Sequence, residues 1–401
     1  METILSKRVN ELSESETLAM TRISRELQCK GHKVINLSIG QPDFNTPQYI
    51  KDAAVEALEQ NYTSYSPVPG YQDLREAICL KLKRDNQLEY QPSQVVVSTG
   101  AKQALANVVL SLVNPGDEVI LPVPYWVTYK ELVKLAEGRS VFLPTGVLTD
   151  FKITPAQLEA AITPASKLFI FSSPCNPSGS VYSREELQAL AAVFERHPQV
   201  FIMSDEIYEH INFVGRHESI AQFPSIKDRV IVVNGVSKGF AMTGWRVGYI
   251  AAPPFLAQAC DKLQGQMTSG TCSIAQRATL KAVATNPADD HDLQMMVKAF
   301  RERRDYLLEL LKEIPGLKTN TPDGAFYVFA DCSSYFGKAD GNTHISDAND
   351  LSFYLLYHAY VATVSGAAFG DPACIRLSYA TSKEQLAEAV IRMKEVLGRL
   401  K

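Results

Sequence analysis

No run in this sequence approaches the roughly 18 consecutive apolar residues that a membrane-spanning helix requires. The opening stretch METILSKRVNELSESET also lacks the apolar centre of a secretory signal. The chain therefore reads as soluble and unexported. Positive charge is not in excess: 40 Lys and Arg stand against 44 Asp and Glu, a formal net charge of -4. Nucleic acid is accordingly not an expected partner. Cysteine is scarce and poorly placed for pairing. The seven, at positions 29, 79, 175, 260, 272, 332 and 374, are odd in number and never spaced as CxxC. That argues against a disulfide framework and against a zinc site, and fits a reducing cytoplasm. Internal repeats and low-complexity tracts are also missing.

What is present is ordinary globular material, 46% hydrophobic and 21% charged over 401 residues. That length exceeds one hydrophobic core, so two domains, or one large and one small, are expected. Short β-branched runs, VVVS (95–98), EVILP (118–122), KLFIFS (167–172), VFIMSDE (200–206) and RVIVVNG (229–235), alternate with amphipathic helical patterns. Such alternation predicts an α/β fold, with parallel strands covered by helices on both faces and ligands at the strand ends. After about residue 290 the pattern changes to a long charged helix, the strand-like GAFYVFADCS, a helix around LSFYLLYHAY, the strand CIRLSYA and a closing helix. The expected organisation is an N-terminal segment (1–45) packing with a small α+β domain (291–401), and a large domain (46–290) between them. The stretch KADGNTHISDAND (338–350) reads as a surface loop.

One segment stands out. NGVSKGFAMTGWRVGY (234–249) sets Lys238 and Arg246 eight residues apart among apolar and glycine residues. A lysine at a strand end is commonly solvated. The apolar flanks Val232, Val233, Phe240, Met242 and Trp245 instead imply burial, which lowers an amine's pKa and frees it to form a Schiff base with a carbonyl. Arg246 could clamp a phosphate at a fixed distance from it. A phosphorylated aldehyde would answer both charges.

SKGFAMTGWRVGY resembles the lysine segment of the class I aminotransferases that depend on pyridoxal phosphate. It is closest to the branch holding bacterial aspartate aminotransferases and plant-type prephenate aminotransferases. The resemblance runs from about Leu5 to the C-terminus and carries several motifs in order. It implies a large domain with a mostly parallel seven-stranded sheet, a smaller domain, and a homodimer with its sites at the subunit boundary. Lys238 would be the catalytic lysine. In VFIMSDEIYEH, Asp205 ends an apolar strand, where an unpaired carboxylate is costly; the family sets it against the cofactor's pyridine nitrogen. Tyr208 matches the tyrosine bonded to the ring's phenolic oxygen. Asn176 in SSPCNPSGS is explained either by turn chemistry or, as in the family, by donation to that same oxygen. Gly100, Ala101 and Lys102 join a strand to a helix whose N–H groups can cradle a phosphate, or serve only as a structural junction. Trp126 is a core residue or the ring that stacks on the cofactor. Ser237 is a further candidate for the phosphate, because Gly235 stands where some aminotransferases carry a phosphate-touching serine. Tyr65 matches a tyrosine that reaches the neighbouring subunit's phosphate.

For the substrate, Arg376 lies in an apolar strand. It is either half of a structural ion pair or, by the resemblance, the clamp on the α-carboxylate, assisted by the backbone of Gly40. Trp126 and Asn176 would border the same site. Thr17 and Lys102 are either a surface threonine and a helix-capping lysine or, by the resemblance, residues associated with dicarboxylate and prephenate recognition. The resemblance thus implies ping-pong transamination between aspartate and 2-oxoglutarate, with prephenate as an additional acceptor. A transaminase for aromatic amino acids, or a β-lyase of the same fold, would share the cofactor residues.

Overall fold

The computed structural model describes residues 4–14 and 16–401, excluding the side chains of Thr17 and Leu18. Near the N-terminus, helix α1 (Glu16–Cys29) buries Met20, Ser24 and Leu27 at helical spacing and leaves Arg22, Arg25 and Glu26 exposed. Ile35–Asn36 then pairs in parallel with Val361–Ala362. Met20, Leu27, Val34, Leu356 and Ala362 close a small core between the two ends of the chain.

The central sheet contains β1 (Val95–Ser98), β2 (Glu118–Pro122), β3 (Arg139–Leu143), β4 (Ser166–Ser172), β5 (Phe201–Asp205), β6 (Val230–Gly235) and β7 (Gly248–Ala251). Their order is β1-β7-β6-β5-β4-β2-β3. Only β7 is antiparallel to its neighbours, so the expected seven-stranded, mostly parallel sheet is present. Successive side chains point to opposite faces, and both faces are covered: Val95, Val97, Ile202, Val230 and Val232 enter one core, while Val96, Met203, Ile231 and Val233 enter the other. Strands buried on both sides need continuous apolar runs, which is why five of the seven are legible in the sequence. β3 is an edge strand of mixed burial, and GYIA of β7 has a single β-branched residue and so no run to stand out.

Because β7 alone is reversed, the C-terminal ends of β1, β4, β5 and β6 all reach one edge of the sheet. Helix α2 (Ala101–Leu112) starts immediately beyond β1 and packs Ala104, Leu105, Val108 and Val109 onto the sheet. The smaller C-terminal part contains helix α3 (His291–Leu311), an antiparallel sheet of β8 (Tyr327–Asp331), β9 (Val364–Ser365) and β10 (Cys374–Ser378) in the order β9-β10-β8, and helix α4 (Lys383–Leu397). The stretch read as a loop is more ordered than expected. Ala339–Asp340 pairs with Thr343–His344, Ile345 is buried, and Asp347 caps the helix Ala348–Tyr354. Polar composition concealed a tight hairpin followed by a helix cap. Among the described residues no helix is long and apolar enough to cross a membrane.

Candidate active site

A cavity of about 490 Å³ opens where the sheet edge meets α1 and the small domain. It brings together Gly40, Ala101, Lys102, Trp126, Asn176, Asp205, Tyr208, Ser237, Lys238, Arg246 and Arg376. Residues from seven separate stretches of sequence therefore share one chamber.

Lys238 follows β6 by three residues and is half-buried; its Nζ donates to the Gly40 carbonyl at 2.5 Å. Burial lowers the amine's pKa to about 8; repulsion from Arg376 and Arg246 adds to the fall, and Asp205 opposes it. Asp205, at the end of β5, is 4% exposed. Its carboxylate accepts from the Tyr129 hydroxyl at 2.7 Å and from the Ile207 N–H at 3.2 Å. Burial nevertheless raises its pKa to about 6. Two neutral donors do not replace the hydration of a charged carboxylate. The site therefore favours a cation or an N–H donor beside Asp205.

Arg246 has a left-handed backbone, φ 55°, uncommon for a residue with a side chain. That turn brings its guanidinium over Gly100, where a Cβ would overlap Nη2, while Nη1 donates to the Thr243 carbonyl at 2.9 Å. Gly100 itself has φ 82°, and Gly248 at the start of β7 lies so close that a Cβ there would overlap the Ala101 amide nitrogen. Bare backbone at 100 and 248 thus packs Arg246 and the start of α2 into one anion cradle. Lys102 sits over the Trp126 ring at 5.1 Å, and burial lowers its pKa, with repulsion from Arg246 adding to the effect. Gly235 has a different explanation from the one its sequence suggests. It pairs with Gly248, and a Cβ at 235 would lie 2.8 Å from the Gly248 Cα and 2.9 Å from the Val247 carbonyl oxygen. Strand packing leaves no room for a serine there.

Arg376 in β10 is 1% exposed. Its guanidinium donates to Asn176 Oδ1 at 2.9 Å and to the Ser38 carbonyl at 2.7 Å, and rests on the Tyr327 ring at 4.4 Å. Among the described residues its buried Nε has no hydrogen-bond partner. Tyr208 shares a hydrogen bond with Tyr327 at 2.7 Å between hydroxyls. Sequence reasoning missed Tyr129 and Tyr327. Tyr129 follows Trp126 by one helical turn in YWVTY, and that spacing to an aromatic site residue was the available signal. Tyr327 lies in a strand whose apolar run reads as core. Gly100 touches Arg246 without lining the cavity, Tyr65 lies outside it and is 97% exposed, and the Thr17 side chain lies outside the described residues.

The cavity is lined by five cations, Arg25, Lys102, Lys238, Arg246 and Arg376, and by one carboxylate, Asp205. Among the described residues none of these cations forms a salt bridge with the chain's own carboxylates, although ion pairs are plentiful elsewhere. Arg376 is buried and Lys238 half-buried, and unpaired cations so placed are costly unless an anionic ligand compensates them. Fold and chamber together define an enzyme site for a small molecule with several negative groups.

The family model described as aminotransferase class I and II matches residues 32–393, and the chain belongs to this family. It is an aminotransferase. The chain is 47% identical over 399 residues to a Petunia hybrida protein named bifunctional aspartate aminotransferase and glutamate/aspartate-prephenate aminotransferase, covering 99% of this chain and 83% of that one. It is 44% identical to the aspartate/prephenate aminotransferase of Nitrosomonas europaea, covering 98% of this chain and 100% of that protein. Among solved structures, the aspartate aminotransferase of Rhizobium meliloti superposes with a TM-score of 0.95 at 39% identity, covering 99% of each chain. That of Thermus thermophilus with maleate gives 0.92 at 40%, covering 98% of this chain and 99% of that one.

Proposed function

We propose that this aminotransferase uses pyridoxal 5′-phosphate to transfer the amino group of aspartate to 2-oxoglutarate, and that it also serves prephenate. The observation that carries this reading is the unpaired charge of the chamber: among the described residues, neither its buried carboxylate nor its cations form a salt bridge. The proposed cofactor has a group for each. Arg246, Ser237 and the amides of Gly100, Ala101 and Lys102 would hold its phosphate; Asp205 would keep a proton on its ring nitrogen; Trp126 would fix the ring plane; Tyr208 and the Asn176 amide would donate to its phenolic oxygen. When bound, it supplies an aldehyde that takes up the amino group and a protonated ring that withdraws electrons from the substrate's Cα.

The chain's own residues do the rest. Arg376 binds the α-carboxylate, its fork already aimed by Asn176 and Ser38. Lys238, with its pKa lowered to about 8, is neutral far more often near neutral pH than an ordinary lysine and moves the Cα proton as base and then as acid. Lys102 and Thr17 would recognise the second carboxylate. We further take residues 46–290 as the cofactor-binding domain, 291–401 with the 1–45 segment as the small domain, and the working unit as a cytoplasmic homodimer. The dimer is supported by the exposure of Tyr65. Its loop is pinned by the Ser273 hydroxyl bonding the Ser64 carbonyl at 2.8 Å and by Gln276 bonding Ser66 at 2.9 Å, and these bonds hold the ring out in solvent.

The deciding experiment is Lys238→Ala, assayed for turnover and for the visible absorbance of bound pyridoxal phosphate. Loss of turnover by at least about 10⁴-fold, together with loss of the lysine-bound band, is expected. A variant that retains wild-type activity on aspartate would overturn the assignment.

A further inference from the structure

One cation of the chamber has no task in this scheme. Arg246 is assigned to the phosphate, Lys238 to the aldehyde and proton transfer, Arg376 to the α-carboxylate and Lys102 to the second carboxylate. Arg25 remains. It projects from α1 into the same cavity as Thr21, one turn earlier on the same helix face.

Nothing on its own helix neutralises it. The residues three and four positions away are Thr21, Arg22, Gln28 and Cys29, none of them acidic. The adjacent Glu26 is bound to Arg22 at 3.0 Å, and Gln28 turns away to the Val34 carbonyl. Among the described residues Arg25 has no carboxylate within salt-bridge distance. The helix that carries it is fixed on its other face by Met20, Ser24 and Leu27, so packing sets the face that presents the arginine to the cavity.

We infer that Arg25 is a specificity residue of the site: with Lys102, it binds the side-chain carboxylate of a dicarboxylic substrate. This rests on the aminotransferase reading above and extends it to α1. An arginine suits the task because its planar fork can grip a carboxylate with two hydrogen bonds, whereas Lys102 offers a point charge. The site would then read a dicarboxylic acid from both ends, Arg376 at one carboxylate and Arg25 with Lys102 at the other.

The test compares Arg25→Met and Arg25→Lys with the wild-type holoenzyme in the amino-donor half-reaction, followed by cofactor absorbance. Aspartate, glutamate and alanine are the donors. Maleate, a dicarboxylate without an amino group, is titrated for binding alone. Arg25→Met should lower kcat/KM for aspartate and glutamate by roughly 10- to 100-fold, the range for losing a charged hydrogen bond. It should weaken maleate by a similar factor and change alanine by less than about twofold, and Arg25→Lys should recover part of the loss. Unchanged values for aspartate and maleate, or an equal fall for alanine and aspartate, would overturn the role of Arg25. A wild-type enzyme inactive on both dicarboxylates would instead overturn the substrate reading on which it rests.

Discussion

Tyr129 and Asp205 illustrate how single contacts set the chemistry of this site. Burial alone pushes the Asp205 pKa up, and the Tyr129 hydroxyl is the largest force holding it down to about 6. A carboxylate near 6 is ionised at neutral pH and can hold a protonated ring nitrogen. As pH falls through 6 in the cofactor-free protein, Asp205 takes up a proton and its attraction for a cationic ring disappears, so cofactor affinity should fall on the acid side. Tyr129→Phe removes a hydrogen bond made to the charged form, which favours the protonated carboxyl. The acid limb should therefore move upward by about one pH unit, the equivalent of one such bond. Titrating pyridoxal phosphate binding against pH in both proteins measures this directly; coincident limbs would show that Tyr129 has no influence on Asp205. In the sequence Asp205 was visible as a carboxylate in an apolar run, whereas Tyr129 looked like one aromatic among several. Its role depends on a contact across 76 positions.

At the scale of elements, the cradle is assembled by the junctions of β1 with α2 and of β6 with β7. Those junctions meet because β7 returns antiparallel between β1 and β6. Gly235 and Gly248 face each other across the last two strands. The sequence leaves Gly235 as the apparent loss of a phosphate-binding serine, but the structure makes it a packing requirement. Gly235→Ser should lower stability by about 1–3 kcal/mol, as overpacking does, without tightening pyridoxal phosphate. Thermal unfolding and cofactor titration test the two parts separately, and a stable variant with higher cofactor affinity would contradict the packing account. The strands that were legible had β-branched runs buried on both faces. The edge strand β3, the four-residue β7 and the hairpin at 339–344 had no such pattern, because pairing rather than composition creates them.

At the scale of the whole molecule, the site draws on both ends of the chain. Arg376 reaches Asn176 and Ser38, and Lys238 reaches Gly40, so the N-terminal segment, the sheet and the small domain meet at the substrate. In the proposed homodimer, Tyr65 of a second copy completes it. If so, activity should be restored by mixing two defective chains. In a hybrid of Tyr65→Ala with Lys238→Ala, one site would combine the wild-type Lys238 of one chain with the wild-type Tyr65 of the other. Co-expressed hybrids should exceed both homodimers in activity at limiting pyridoxal phosphate. Activity no higher than the mean of the two homodimers would place the tyrosine's action within its own chain.

The sequence by itself determined the class of fold, the alternation that builds the sheet, and most of the polar residues lining the chamber, because apolar periodicity and charged residues inside apolar runs are local properties. Tertiary structure alone decided which charges stay unpaired. Asp205 and Arg376 could each have found a partner in the chain, and only the folded arrangement leaves both without a salt bridge among the described residues. It also brought Tyr129 to Asp205, excluded any side chain at Gly235, and turned Arg25 toward the cavity. Each of these depends on contact between segments far apart in sequence, where distance and burial, rather than residue type, set the energy.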